Sequence, residues 1–270
     1  MRDRILSSDS RAVDGAIGVG YSVLASIAER RRCKVRKSDG VWLHEWKGGA
    51  YLCARPVRRP VNEAQHLYPY FLYRYTPRPG DVVVDLGAGV GTEALEFSRL
   101  VGPAGRVISI EAHPPSAILL QRTACHLGLD NVTVIDAAVA AEDGPVRISD
   151  GDAAIANRLG ESGITVRGGT LPSLLADVGV REVDYMKVNI EGAERLLFEG
   201  MTGSGLVVRE ICVSCHDFLD GDWYRTFDTT RAWLIDNGYD VIRHPAVDGA
   251  PYSQYYLYGS LRGSADATSS

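Results

Sequence analysis

The spacing of apolar residues changes character along the chain, and the changes divide it. Over residues 10–31, Val13, Ile17, Val23, Leu24 and Ile27 recur at helical spacing and predict one long helix. Three short runs follow at 33–36, 41–46 and 51–54. They are separated by Ser38-Asp39-Gly40 and Lys47-Gly48-Gly49, and they predict a small β-meander. Residues 62–75 read as an aromatic helix, stopped by Pro77-Arg78-Pro79-Gly80. From Asp81 the period alternates. Buried-type strands are predicted at 81–85, 106–110, 132–135, 183–188 and 206–213, with last strands at 239–243 and 255–258. Helices are predicted at 92–100, from Pro114 to just before Gly128, after Thr170 as far as Gly179, and at 191–199 and 224–236. The runs 146–148 and 164–166 read as a β insertion.

Strands alternating with helices imply an α/β fold, a Rossmann-like doubly wound and mostly parallel sheet. The organisation follows: residues 1–78 form an N-terminal helix and meander extension, 79–262 the main domain, and 263–270 a mobile tail. The extension is expected to cap the pocket or to make a contact in a homo-oligomer. In such a sheet, ligands bind beyond the carboxyl ends of the strands, at the switch point.

Composition narrows the partners. A net charge of −5 disfavours nucleic acid, and the basic run around Arg30-Arg31-Arg32 reads as a solvated edge. No stretch is long and apolar enough to span a membrane, so no membrane partner is expected. Five scattered cysteines fit a reducing cytoplasm. Cys212 and Cys215 should point to opposite faces if their strand continues, which argues against a metal or redox pair.

The first core strand ends in Asp85, followed by Gly87, Ala88, Gly89 and Gly91. Glycines there allow a tight turn and a close ligand. A carboxylate at that place suits a cationic amino group and repels a pyrophosphate. S-adenosyl-L-methionine (SAM) carries an ammonium and a sulfonium and no phosphate. Asp85→Ala is therefore expected to weaken SAM binding with the fold intact. Glu111 ends the second strand, where a carboxylate can accept from ribose hydroxyls, with Ala112 and His113 beside it. Asp136 and Ala137 end the third, where an adenine edge would lie.

With these residues in view, the chain resembles the FkbM-type SAM-dependent methyltransferases over roughly residues 79–213. Two stretches carry the likeness: Pro79-Gly-Asp-Val-Val-Val-Asp-Leu-Gly-Ala-Gly-Val-Gly91 and Val183-Asp-Tyr-Met-Lys-Val-Asn-Ile-Glu-Gly-Ala-Glu194. The resemblance implies a class I methyltransferase sheet and methylation of a hydroxyl on a small molecule, a secondary metabolite or a sugar. Three positions depart from the family pattern. Asn189 stands for the usual Asp, Ala112 follows Glu111 in place of Pro, and Thr123 and Leu127 replace two helix asparagines.

Candidate catalytic residues lie on the same rim. Asn189 cannot act as a base, but it can orient an acceptor or bond the amino-acid end of SAM. An Asp there could have helped to hold Mg²⁺; Asn disfavours the metal, and no metal ligands are assigned. Glu191 is either a helix N-terminal carboxylate or a site residue. His216 is the preferred proton acceptor, with Asp217 as its orienting partner. Lys187, inside a strand, is expected to pair with a carboxylate. Tyr68, Tyr70, Tyr73 and Tyr75 are read as core packing ahead of a lid. Trp42 and Trp46, with His44 between them, are read as packing the meander. Two other functions stay open: a SAM-binding protein without methyl transfer, and an NAD-dependent oxidoreductase, which Asp85 and the glycine spacing disfavour.

Overall fold

The computed structural model describes residues 2–148 and 163–263, with side chains from residue 12 onward. Of the expected mobile tail, 263–270, all but Gly263 lies outside the described residues, as does the middle of the β insertion, 149–162.

Helix α1 (Arg2–Glu29) leads into the meander β1 (Cys33–Ser38), β2 (Val41–Trp46) and β3 (Gly49–Cys53). The aromatic stretch forms two short helices, α2 (Pro60–Gln65) and α3 (Leu67–Tyr70), where one was expected. The main domain then runs β4 (Val82–Leu86), α4 (Ala94–Val101), β5 (Arg106–Glu111), α5 (Pro114–Leu127) and β6 (Val132–Asp136). A side sheet joins β7 (Ala138–Val139), β8 (Gly144–Ile148) and β9 (Ile164–Gly169). After α6 (Leu171–Ala176) come β10 (Glu182–Val188), α7 (Glu194–Met201), β11 (Val207–Ser214), α8 (Phe227–Asp236), β12 (Tyr239–Arg243) and β13 (Tyr256–Leu261).

The main sheet has seven strands in the order β12-β13-β11-β10-β4-β5-β6. Five of them pair in parallel, and β13 enters antiparallel between β11 and β12. This is the doubly wound arrangement with a reversed hairpin at one edge. The order turns at β4 and β10, so the crevice of the switch point opens above these two strands.

The sheet is covered on both faces, which explains its near-continuous apolar strands. Val84, Leu86, Ile108, Ile110, Met186 and Val188 fill one core. Val83, Val107, Tyr185 and Cys212 fill the other, beneath Phe71, Phe97 and Tyr258. Along this second face each strand turns polar toward its carboxyl end: Val83 gives way to Asp85, Val107 to Ser109, and Tyr185 to Lys187, all buried. Cys215 lies in the first core and Cys212 in the second, on opposite faces as the spacing required. Among the described residues no helix is long and apolar enough to cross a membrane.

The meander is docked onto α5. Leu43 and Leu52 pack with Leu119, and the Leu52 N–H donates to Thr123 Oγ1 at 3.0 Å. Trp42 packs with Ala25 of α1 and Val61 of α2, so its face is internal packing as expected. His44 is fully buried; desolvation lowers its pKa to about 4, and its neutral Nε2 accepts the Val57 N–H at 2.8 Å. Tyr70 is buried among Tyr252, Tyr256 and His244, whereas Tyr68 and Tyr73 remain exposed.

Candidate active site

At the switch point a cavity of about 210 Å³ opens above β4 and β10. Of the residues expected to hold a cofactor, Gly87, Ala88, Gly89, Glu111, Ala112, Ala137 and Asn189 line it, as does Glu191.

The glycines differ in what demands them. Gly87 has φ +71°, and a Cβ there would lie 1.9 Å from the Asn189 carbonyl oxygen. The β4 loop therefore presses directly on the end of β10, where the Asn189 N–H donates to Leu86 O at 3.0 Å. Gly89 has φ +56°, but a Cβ there would meet nothing within 4 Å. Its bare face looks into open space, as a cradle for a close ligand requires. Gly91 is outside the cavity wall and admits Leu120 of α5 instead.

Glu111 joins the loop to β5. One oxygen accepts the Gly89 N–H at 2.7 Å and the other the His113 N–H at 2.8 Å. A carboxylate has about four acceptor positions, so two remain for ribose hydroxyls. Burial raises the Glu111 pKa, and the two backbone donors oppose that rise. Opposite it, Ile110, Ala138, Val139 and Ile148 give the cavity an apolar side suited to a flat base. His113 and Asp136 do not line the cavity. The His113 ring bonds Ser116 at 2.9 Å in the first turn of α5, and Asp136 is exposed at the strand end.

The structure corrects the reading of Asp85. It does not line the cavity; it is fully buried, with Oδ1 2.8 Å from Lys187 Nζ. The two residues are register partners on β4 and β10, so the pairing follows from the sheet itself. Lys187 reaches the cavity wall and also donates to Gly87 O at 2.9 Å. Burial works against its charge, but Asp85, Glu93 and Glu111 outweigh burial and hold the ammonium above its ordinary pKa. Asp85 thus anchors the lysine that braces the glycine loop, and it cannot be removed with the fold unaffected.

His216 is the second correction. It is buried behind the cavity wall, with Nε2 3.4 Å from Glu191 Oε1 and Nδ1 3.2 Å from Glu194 Oε1. Burial alone would lower its pKa, but the two carboxylates overcome that and raise it to about 9. A ring already protonated near neutral pH cannot accept a proton, so His216 acts here as a cation. Its expected partner Asp217 is engaged elsewhere: Oδ2 accepts the N–H groups of Thr226 and Phe227 at the start of α8. Glu194 takes the orienting place.

Glu191 was expected to open a helix. Its φ is +53° and Gly192 follows at +94°, so the helix starts only at Glu194. The left-handed turn is held by Trp223, whose indole donates to Glu191 O at 2.7 Å. The side chain is thereby turned to the cavity, and its Oε2 is buried without a hydrogen-bond partner. A non-glycine residue held at positive φ stores strain and is a recurrent feature of functional sites.

Sequence reasoning missed Thr92 and Glu93, which line the cavity one turn beyond the glycine loop. They lack any signal except their nearness to Gly91. Among the described residues no group of three or more His, Cys, Asp or Glu is placed to hold a metal ion.

Comparison with known proteins completes this picture. Protein-L-isoaspartate O-methyltransferase of Ignicoccus hospitalis is 38% identical over 72 residues, which cover 27% of this chain and 34% of that protein. Protein-L-isoaspartate O-methyltransferase 2 of Archaeoglobus fulgidus is 43% identical over 58 residues, covering 22% and 26%. The chain thus spans about a third or less of the length of these curated relatives. Aeropyrum pernix fibrillarin, solved with natively bound SAM, aligns at a TM-score of 0.49 and 16% identity over 84% of this chain and 97% of that one. The FkbM methyltransferase of Methylobacillus flagellatus aligns at 0.47 and 17% over 70% and 45%. The family described as Methyltransferase FkbM domain matches residues 85–241. That match runs from the buried aspartate of β4 through the crevice, the Glu191 turn and His216 into β12, more than half of the sequence, and by it the chain belongs to the FkbM methyltransferase family.

Proposed function

We propose that this FkbM domain transfers a methyl group from SAM to a hydroxyl of a small molecule, with Glu191 as the proton acceptor. The carrying observation is Glu191 itself: a carboxylate in a strained turn, facing the cavity, with one buried oxygen unpartnered. SAM supplies a methyl group activated by its sulfonium. The residues fit such a ligand. Gly89 leaves room for it, Glu111 keeps acceptor positions for ribose hydroxyls, and Ala112, Ala137 and Val139 offer an apolar side. Glu93 and Glu191 give the rest of the wall the negative character that a cation-bearing ligand needs.

The chain's own work is positioning and proton removal. Asn189, fixed by its backbone contacts to Leu86 and Gly87, orients the acceptor with its amide. Glu191 takes the hydroxyl proton, while His216 holds the carboxylate in place through its other oxygen. General-base help of this kind is worth about 10² to 10⁴-fold.

Calorimetric titration with SAM, S-adenosylhomocysteine and NAD in parallel, followed by an acceptor screen read as S-adenosylhomocysteine release, tests the reading. Both adenosyl ligands should bind and NAD should not. Glu191→Gln should lower kcat by about 10² or more, with SAM affinity little changed. Binding of NAD alone, or full turnover in the Gln variant, would refute it.

A further inference from the structure

Two opposite charges line the crevice without meeting. Lys187 and Glu93 both belong to the cavity wall. They lie near enough to act on each other, since Glu93 is among the carboxylates that hold the Lys187 ammonium above its ordinary pKa. Among the described residues, however, no ion pair or hydrogen bond joins the two. The partners of Lys187 are Asp85 and Gly87 O, and the partner of Glu93 is the Thr92 hydroxyl.

Both side chains are held where they are. Lys187 is 1% exposed, and its tip is tied by Asp85 Oδ1 at 2.8 Å and Gly87 O at 2.9 Å. Glu93 stands at the start of α4, where its carbonyl accepts the N–H groups of Glu96 and Phe97, and Thr92 donates to its Oε2. An ammonium has three donors, and Lys187 has spent two of them. Glu93 keeps its Oε1, which no donor among the described residues reaches. One fixed cation with a donor to spare and one fixed carboxylate with an acceptor to spare thus share a cavity.

Of the parts of SAM, one matches that pair. An α-amino acid carries its carboxylate and its ammonium on a single carbon, whereas the ribose and the base are neutral and the sulfonium has no hydrogen to donate. Among the described residues of the wall, Lys187 is the one cation beside Glu93, Glu111 and Glu191, so an anionic group has one place to go. The ammonium needs a carboxylate other than Asp85, which is spent on Lys187. Resting on the reading of the crevice as a SAM site, we propose that Lys187 and Glu93 clamp the amino-acid end of the cofactor, Lys187 by its carboxylate and Glu93 by its ammonium. The site then selects for an intact α-amino acid and against adenosyl thioethers that lack either group.

Calorimetry of the full chain with S-adenosylhomocysteine, its decarboxylated analogue, which keeps the ammonium, and its deaminated analogue, which keeps the carboxylate, tests this. Each truncated ligand should bind about 10- to 100-fold more weakly, the worth of a hydrogen bond to a charged group. Two variants should then sort the losses. Glu93→Gln, which can still accept from Thr92, should weaken S-adenosylhomocysteine about tenfold or more and leave the deaminated analogue unchanged. Asp85→Leu/Lys187→Met, which removes the buried pair together, should bind S-adenosylhomocysteine and its decarboxylated analogue alike. A merely structural role for these residues would weaken all three ligands by one factor, and that result would refute the clamp. The ranking of ligands on the wild type decides even if the double variant does not fold. Equal affinity there for S-adenosylhomocysteine and either truncated analogue would overturn the clamp and leave the SAM reading intact; no binding of any of the three would overturn both.

Discussion

Replacing His216 with Gln removes the cation that stands between Glu191 and Glu194, and the cost should depend on pH in a defined window. In the folded protein His216 keeps its proton to about pH 9, against an ordinary value of 6.5. Below 6.5 both folded and unfolded chains carry the proton, and the extra affinity of the folded state contributes fully. Between 6.5 and 9 the unfolded chain has released its proton while the folded one retains it, so the contribution falls as pH rises. Above 9 it is gone. At about 1.4 kcal/mol per pH unit, the separation gives about 3 kcal/mol. That is a large part of the roughly 5–15 kcal/mol that stabilises a typical domain. The group is almost completely buried, so solvent screening takes little from the figure. Urea unfolding of wild type and His216→Gln at several pH values from about 6 to about 9.5 is the assay. The stability difference between the two should be about 3 kcal/mol at the acid end and should shrink toward the alkaline end. Using the difference cancels other groups that titrate in the same range. A pH-independent difference, or equal stability near pH 6, would show that His216 is not the shared cation of the two carboxylates.

Two further substitutions separate residues that support the site from residues that meet the ligand. Asp85→Ala strands the buried Lys187 ammonium, and breaking a buried pair this way costs about 3–5 kcal/mol. Urea unfolding should show that loss, with much of it recovered in the double variant Asp85→Leu/Lys187→Met; a variant of wild-type stability with only its SAM affinity reduced would restore the simpler reading of Asp85 as a ligand contact. Gly87→Ala should fail to fold or melt far below wild type, because its Cβ has no room beside Asn189 O. Gly89→Ala should fold with a loss of about 1–2 kcal/mol for its left-handed backbone, yet bind SAM much more weakly by calorimetry. Equal binding in Gly89→Ala and wild type would mean that the open face of Gly89 is not the cradle.

The strand ends were legible because burial on both faces makes each core strand an uninterrupted apolar run, and the fold then fixes where its last residue points. That logic brought Gly87, Gly89, Glu111, Ala137 and Asn189 to one cavity. It failed where a side chain is committed to a neighbour on another strand. Lys187 pairs with a carboxylate as expected, but that the carboxylate is Asp85, far away in sequence, appears only through the register of β4 and β10. His216 was given Asp217 as its partner because Glu194 comes into view only when β11 is laid beside the start of α7. The Glu191 turn was hidden for a different reason. Glu191-Gly-Ala-Glu194 runs into a helical pattern, and although Gly192 permits a left-handed turn, the indole of Trp223, whose Cδ1 would lie 2.4 Å from a Cβ at position 192, shows what holds it.

The positions at which the chain departs from the family pattern in α5 are explained by the meander. Thr123 is fully buried and accepts the Leu52 N–H, and Leu127 packs beside Leu43 and Leu52. A hydroxyl needs fewer partners than a carboxamide, so threonine meets one backbone donor in a dry interface with less left unsatisfied. The adjacent face of the same helix holds the glycine loop, with Leu120 filling the space that Gly91 leaves. Helix α5 is therefore clamped between the meander and the loop, and it begins at Pro114, just after His113, whose N–H is bonded to Glu111. The extension reaches the site only indirectly: by bearing on α5 from outside, β3 helps to set the helix against which the glycine loop packs.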